Sequence, residues 1–65
     1  MKSFGENLKI ERQNAGFSQK AFAKKIGTTQ QRVSEWETNK VEPTLSNIIA
    51  ITKTLNISFD DLINN

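Results

Sequence analysis

Sixty-five residues carrying a net charge of +2 make one small domain, short enough that its core is marginal. The chain has no cysteine and no histidine, which removes disulfides, thiolate zinc sites and the commonest transition-metal ligand, so close helix packing must hold the fold, helped by self-association. Charge is uneven: residues 1–42 hold eight Lys/Arg against five acids, whereas residues 43–65 hold Lys53 against Asp60 and Asp61.

That basic bias favours a polyanion on the first two-thirds of the chain, although an ordinary solvated surface fits equally well if charge is taken by itself. No apolar run approaches a membrane span, and the start MKSFGENLK has no apolar segment for secretion, so a cytoplasmic protein without a membrane partner is expected. Neither a Gly-rich phosphate loop nor metal-ligand spacing is present, and no cofactor, metal or small-molecule ligand is expected. Asp60-Asp61 is the one carboxylate pair, and it lies at a helix start, where acids stabilise the dipole in any case. An enzyme is not expected.

Turn signals predict five short helices and no strand. Ser3-x-x-Glu6 opens the first as a capping box, and Asn14-Ala15-Gly16 closes it. Ser18 caps a second helix that ends at Gly27, and Thr28 or Thr29 caps the third, with Gln31 placed to reach back if Thr28 is the cap. Asn39 provides a left-handed end to that helix, since Asn tolerates positive φ better than most residues. Val41-Glu42-Pro43 connects to a fourth helix that Thr44 caps and Asn56 ends, and Ser58-x-x-Asp61 opens a short fifth.

Apolar spacing supports this division. Phe4 and Leu8, Phe22 and Ile26, and Phe59 and Leu62 share faces in their helices, and Leu45, Ile48, Ile51 and Leu55 predict one face of the fourth. Phe17 and Ile57 precede caps, where they staple a helix start. Phe17, Phe22 and Trp36 are expected in the core rather than stacked on single-stranded bases. Ile10 and Ile49 lie off these faces, either as plain surface residues or as a contact with a second copy.

The segment 18–38 is the most constrained. Two helices crossing through a tight turn need a small residue where one presses on the other, supplied by Ala23, and a turn residue free to take φ > 0, supplied by Gly27. Val33 and Trp36 point the second helix inward, leaving Gln31, Ser34, Glu35 and Thr38 outward and polar. This pattern predicts a helix-turn-helix whose outward face reads double-stranded DNA.

From about Phe4 to Ile63 the chain resembles the Cro/repressor-type helix-turn-helix domain of the XRE family, similar to the N-terminal domains of lambdoid phage repressors. The matching elements are Gly16-Phe17-Ser18-Gln19, Ala23, Ile26-Gly27, Val33-Ser34, Trp36-Glu37, Pro43, and Leu55-x-Ile57-Ser58-x-Asp60-x-Leu62, and Thr28-Thr29-Gln30-Gln31 resembles the start of some phage recognition helices. Two positions depart from the family: Glu11 stands where leucine is common before Arg12, and Asn39 where glycine is usual. The resemblance implies a five-helix, all-α, lambda-repressor-like domain with a recognition helix at about 29–38 laid in the major groove.

On that implied docking, Gln30 and Gln31 pair with adenine edges, Thr29 meets a thymine methyl or a phosphate, and Glu35 either accepts from cytosine N4 or stays solvated off the groove. Gln19, Arg32, Ser34, Thr38, Asn39 and Lys40 are expected along the DNA backbone, with Lys20 and Lys24 as weaker candidates. Gln19 resembles a family glutamine that touches phosphate and braces a recognition-helix glutamine. Arg12 and Glu37 resemble a family pair that ties the first helix to the third, a structural role. Few cations per subunit imply a homodimer on a palindromic operator, with the fifth helix, the loop before it and Ile49 at the contact. The alternative is a protein-interaction module of the same fold, antitoxin-like or antirepressor-binding. The polar Gln30, Gln31 and Thr38 favour DNA.

Overall fold

A computed structural model describes residues 2–64 and contains, in order, α1 (Phe4–Asn14), α2 (Gln19–Ile26), α3 (Gln30–Glu37), α4 (Leu45–Leu55) and α5 (Phe59–Ile63), with no strand among those residues. Each helix begins on a residue whose side-chain oxygen accepts a first-turn N–H: Ser3, Ser18, Thr29, Thr44 and Ser58. Ser3/Glu6 and Ser58/Asp61 are complete capping boxes. The third cap is Thr29, whose hydroxyl accepts from Arg32 N at 3.2 Å. Gln31 therefore stands at the second helical position, and the reach-back expected for a cap at Thr28 does not arise.

The helices pack around Leu8, Phe22, Ala23, Val33, Trp36, Ile51, Leu55 and Leu62. Phe4, Phe17, Ile26 and Ile57 close the rim of that core. α3 lies against both α1 and α2, while α5 covers α1 and α4 covers α2. Burying the Trp36 ring, about 150–250 Å² at about 25 cal/mol/Å², contributes about 4–6 kcal/mol. Among the described residues its buried Nε1–H has no hydrogen-bond partner, a cost of about 1–3 kcal/mol. Burial therefore wins, and the tryptophan faces inward.

Two expected core positions are not in the core. Leu45 is 74% exposed and Phe59 48% exposed. At about 100° per residue, steps of three drift around the helix, so Ile48, Ile51 and Leu55 cluster while Leu45 falls with Ile49 on the next stripe. Phe59 is displaced from Leu62 in the same way and pairs with Ile63 instead. Ile49 is exposed and Ile10 half-buried.

Two inward polar features are invisible to apolar spacing. Asn7 is buried and its Nδ2 donates to the Leu62 carbonyl at 2.8 Å, joining α1 to α5. Gly5 is buried where α1 crosses the end of α3, and a Cβ there would lie 2.4 Å from the Glu37 carbonyl oxygen and 2.6 Å from that of Trp36.

The polar centre of the fold is Arg12. Its Nε and Nη2 donate to the two carboxylate oxygens of Glu37 at 2.6 and 3.2 Å, and its Nη1 donates to the Phe17 carbonyl at 2.7 Å. Gln19 Nε2 adds a third donor to Glu37 at 3.1 Å. Both charged side chains are more than nine-tenths buried, so the pair locks α1, the turn after it, the start of α2 and the end of α3 together.

Two stability effects follow. Gly5→Ala adds a methyl group against unyielding backbone, so it lowers the unfolding free energy by about 1–3 kcal/mol although alanine is the better helix former by about 1 kcal/mol. Arg12→Ala strands the Glu37 carboxylate and lowers it by about 3 kcal/mol. Urea denaturation followed by Trp36 fluorescence measures both, and a midpoint at the wild-type value in either variant refutes the corresponding assignment.

Candidate nucleic-acid interface

The turn between α2 and α3 is short because Gly27 takes φ 80°, ψ 34°, a conformation that costs glycine nothing. Thr28 N–H returns to the Ala23 carbonyl at 2.9 Å, closing α2, and Thr29 at once caps α3. Ala23 and Val33 are buried in the resulting angle, and Trp36 pins the far end of α3. An eight-residue helix is held here by its packed face, leaving the opposite face to solvent.

That opposite face, with the start of α2 and the turn after α3, forms an open polar recess lined by Gln19, Gln30, Gln31, Ser34, Glu35, Thr38 and Lys40. Gln30 and Gln31 occupy the first turn of α3, are exposed, and make no side-chain hydrogen bond among the described residues. Both amides are therefore available in full, with donor and acceptor edges open. Ser34 and Glu35 are half-buried at the floor. Glu35 faces Arg32 across 3.8 Å, too long for a hydrogen bond.

Other side chains are partly committed. Gln19 gives one amide hydrogen to Glu37, so in this structure it braces the buried ion pair rather than Gln30 or Gln31. Its second amide hydrogen and its carbonyl oxygen make no hydrogen bond among the described residues, and the residue lines the recess. The N–H groups of Gln19 and Lys20 precede the residue that Ser18 caps and have no partner within α2. Thr38 donates its hydroxyl to the Ser34 carbonyl at 2.9 Å, which leaves it as an acceptor. The Thr29 hydroxyl oxygen accepts from Arg32 N, and the residue is exposed.

Asn39, expected along the DNA backbone, differs most. Its Oδ1 accepts from Gly5 N at 3.0 Å and its Nδ2 donates to Ser3 Oγ at 2.9 Å, so the side chain is turned to α1 and away from the recess. Its place in sequence after α3 gives no sign of this engagement, in which the short amide of an exposed residue finds two partners on the start of α1. Lys20, Lys24 and Lys25 are exposed on α2, and the latter two also sit favourably at the negative end of that helix.

A second, apolar groove runs between the loop after α3 and α5, lined among others by Phe4, Val41, Pro43, Ile48, Phe59 and Ile63. Exposed Leu45 and Ile49 extend apolar surface along α4. Among the described residues no group of acidic side chains is arranged to hold a metal ion, and no helix is long and apolar enough to cross a membrane.

Residues 8–62 match the family model described as "Helix-turn-helix". The chain is 37% identical over 60 residues to the SPβ prophage-derived HTH-type transcriptional regulator YonR of Bacillus subtilis, covering 92% of this chain and 56% of that protein. It is 32% identical over 59 residues to the repressor protein C2 of Salmonella phage P22, covering 91% of this chain and 27% of that one. It thus spans about half the length or less of these curated relatives. The fold superposes with a TM-score of 0.91 on the P22 c2 repressor crystallised with synthetic operator 9T, at 30% identity over 98% of this chain and 97% of that one. The restriction-modification controller protein C.AhdI of Aeromonas hydrophila follows the same path, with a TM-score of 0.85, 28% identity and coverage of 92% and 91%. Capped helices, the Gly27 turn, the buried Val33/Trp36 face and the family match agree: this chain belongs to the XRE-type helix-turn-helix family.

Proposed function

We propose that this chain binds double-stranded DNA in a sequence-specific manner as the reading unit of a bacterial or phage-type transcriptional regulator, a repressor, acting in the cytoplasm without enzymatic activity. The observation that carries the reading is the polar recess, in which two uncommitted glutamines at the start of α3 stand beside Ser34, Glu35 and Lys40 on one rigidly supported face. α3 enters the major groove, and α2 lies across the backbone. Likeness to a repressor chain crystallised on its operator supports this docking.

On this reading Gln30 and Gln31 each offer a bidentate edge to adenine N6 and N7, and the Thr29 methyl meets a thymine methyl. Glu35 accepts from cytosine N4 and repels sequences that present only acceptors there. Lys40, Arg32, Ser34, Thr38, the remaining amide hydrogen of Gln19 and the open N–H groups at the start of α2 lie along phosphates. Asn39 takes no side-chain part in this contact, since both ends of its amide are bonded to α1.

So few cations give one copy weak hold on DNA. Two copies on half-sites about 34 Å apart multiply the gain and match a palindromic operator. The surface of α5, the loop before it and Ile49 on α4, with Ile49, Phe59 and Ile63 exposed, is the contact we assign to the homodimer.

Selection from randomised duplexes at near-physiological salt is expected to enrich a palindrome with adenine in each half-site. Gln30→Ala and Gln31→Ala each weaken binding to that duplex by about 1–3 kcal/mol and relax selection at one base pair. Recovery of duplexes without a consensus contradicts the reading. Ile49→Asp combined with Phe59→Asp is expected to leave the melting temperature near wild type, because both residues are exposed. The same double variant abolishes two-copy occupancy of the operator in sedimentation, and retention of two copies refutes the assigned interface.

A further inference from the structure

Four of the five helices end in the same reverse turn, in which a residue with positive φ is followed by one whose N–H returns to the carbonyl five residues back. The left-handed residues are Gly16, Gly27, Asn39 and Asn56. The returning bonds are Phe17 to Arg12, Thr28 to Ala23, Lys40 to Glu35 and Ile57 to Thr52, at 2.9–3.1 Å. Such turns are commonly anchored by an apolar contact from the residue after the left-handed one. Phe17 and Ile57 make that contact by packing on the core, and Thr28 is half-buried. Lys40 makes none, being exposed and lining the recess.

The turn after α3 is anchored by other means. Asn39 accepts from Gly5 N and donates to Ser3 Oγ, so the first turn of α1 grips it through two hydrogen bonds of about ordinary length, 3.0 and 2.9 Å. Gly5 is close enough to do this because it has no Cβ to strike the carbonyls of Trp36 and Glu37. A glycine at position 39 takes the same φ of 62° with less strain, yet makes neither bond. Asparagine is the residue that both adopts the left-handed turn and reaches α1.

We propose that Asn39 is a positioning residue for DNA binding: its clamp on Ser3 and Gly5 fixes the turn from which Lys40 projects, holding the ammonium at the rim of the recess against a phosphate. The proposal rests on the DNA-reading assignment made above. The clamp moves the anchoring of the turn from the residue after it to the left-handed residue itself. At the ends of α1 and α4 the residue after the turn anchors it and is covered. At the end of α3 the preceding residue anchors it, and the lysine stays free to meet a ligand.

The test compares the full chain with Asn39→Gly, Lys40→Ala and the double variant on the duplex enriched by selection, measuring affinity across a salt series. Loss of one phosphate contact makes the plot of log K against log salt shallower by about 0.9 per half-site. Asn39→Gly is expected to lose as much slope as Lys40→Ala, with the double variant no shallower than either. Ser3→Gly, mild at a helix cap, removes one of the two clamp bonds and is expected to fall between, which keeps a readout should Asn39→Gly fail to fold by its Trp36 fluorescence. A merely structural role lowers the melting temperature and leaves the slope of the folded protein unchanged. Wild-type slope in folded Asn39→Gly, or in Ser3→Gly where that variant is the readout, alongside a shallower Lys40→Ala overturns the proposal. Wild-type slope in Lys40→Ala overturns it too, while the wild type's own binding leaves the DNA reading standing. If the wild type enriches no duplex, the DNA reading itself fails and the proposal falls with it.

Discussion

The placement of the C-terminal end of α3 depends on one buried ion pair. Arg12 and Glu37 are paired at 2.6 Å with almost no access to water. Taking such charges out of water costs several kcal/mol per ion, and that is recovered only where every polar atom is matched. Here the match is nearly complete: three guanidinium nitrogens have acceptors, and the Glu37 carboxylate takes two bonds from Arg12 and one from Gln19. Hydrocarbon of the same volume would hold the helices together at least as well. What the pair adds is direction, because a planar fork meets a carboxylate in one orientation while leucine packs in several.

The fork acts at the end of α3, where the close approaches of the fold converge. Gly5 brings α1 against the last carbonyls of α3, and Asn39 ties the following turn to the start of α1. Gln19 brings the start of α2 to the same carboxylate. With Trp36 beneath, the C-terminal end of α3 is held from three sides, whereas the N-terminal end is fixed by the Gly27 turn and the Thr29 cap. Between those two ends lie the side chains that line the recess.

Features whose meaning is local were legible in the sequence. Four caps, Ser3, Ser18, Thr44 and Ser58, and the left-handed positions Gly16, Gly27, Asn39 and Asn56 stand where short polar side chains and glycine predict them, because a cap is decided within four residues; the third lay open between Thr28 and Thr29, and Thr29 takes it. The inward Val33/Trp36 face was legible for a similar reason, since helix geometry alone places it. Leu45 and Phe59 were misassigned because spacing of three is shorter than a full turn, and the error grows with each step. Gly5 and Asn7 were not legible, as their partners lie 31 to 55 residues away and nothing nearby in sequence marks them. In the recess the face was legible, but not which of its side chains were already engaged. Gln19 and Asn39 look as free in sequence as Gln30 and Gln31, and only packing shows that they are not, whereas Thr38 is engaged by its own helix.

That division between committed and uncommitted side chains has a physical logic. A polar group that reads another molecule must offer unpaired donors and acceptors, and it gains little unless its backbone is already in place to within about 0.5 Å. In a 65-residue chain the apolar core is too small to supply such placement unaided. Polar side chains next to the reading face take over part of that work: Gln19 and Asn39 spend their amides inside the molecule, and Gln30, Gln31 and Lys40 beside them remain open. Chemically identical amides therefore divide the labour according to what surrounds them. An amide within reach of an immobile carboxylate or a helix's first N–H groups becomes part of the scaffold. Gln30 and Gln31, on the exposed first turn of α3, make no such bond among the described residues and are left for whatever lies in front of them.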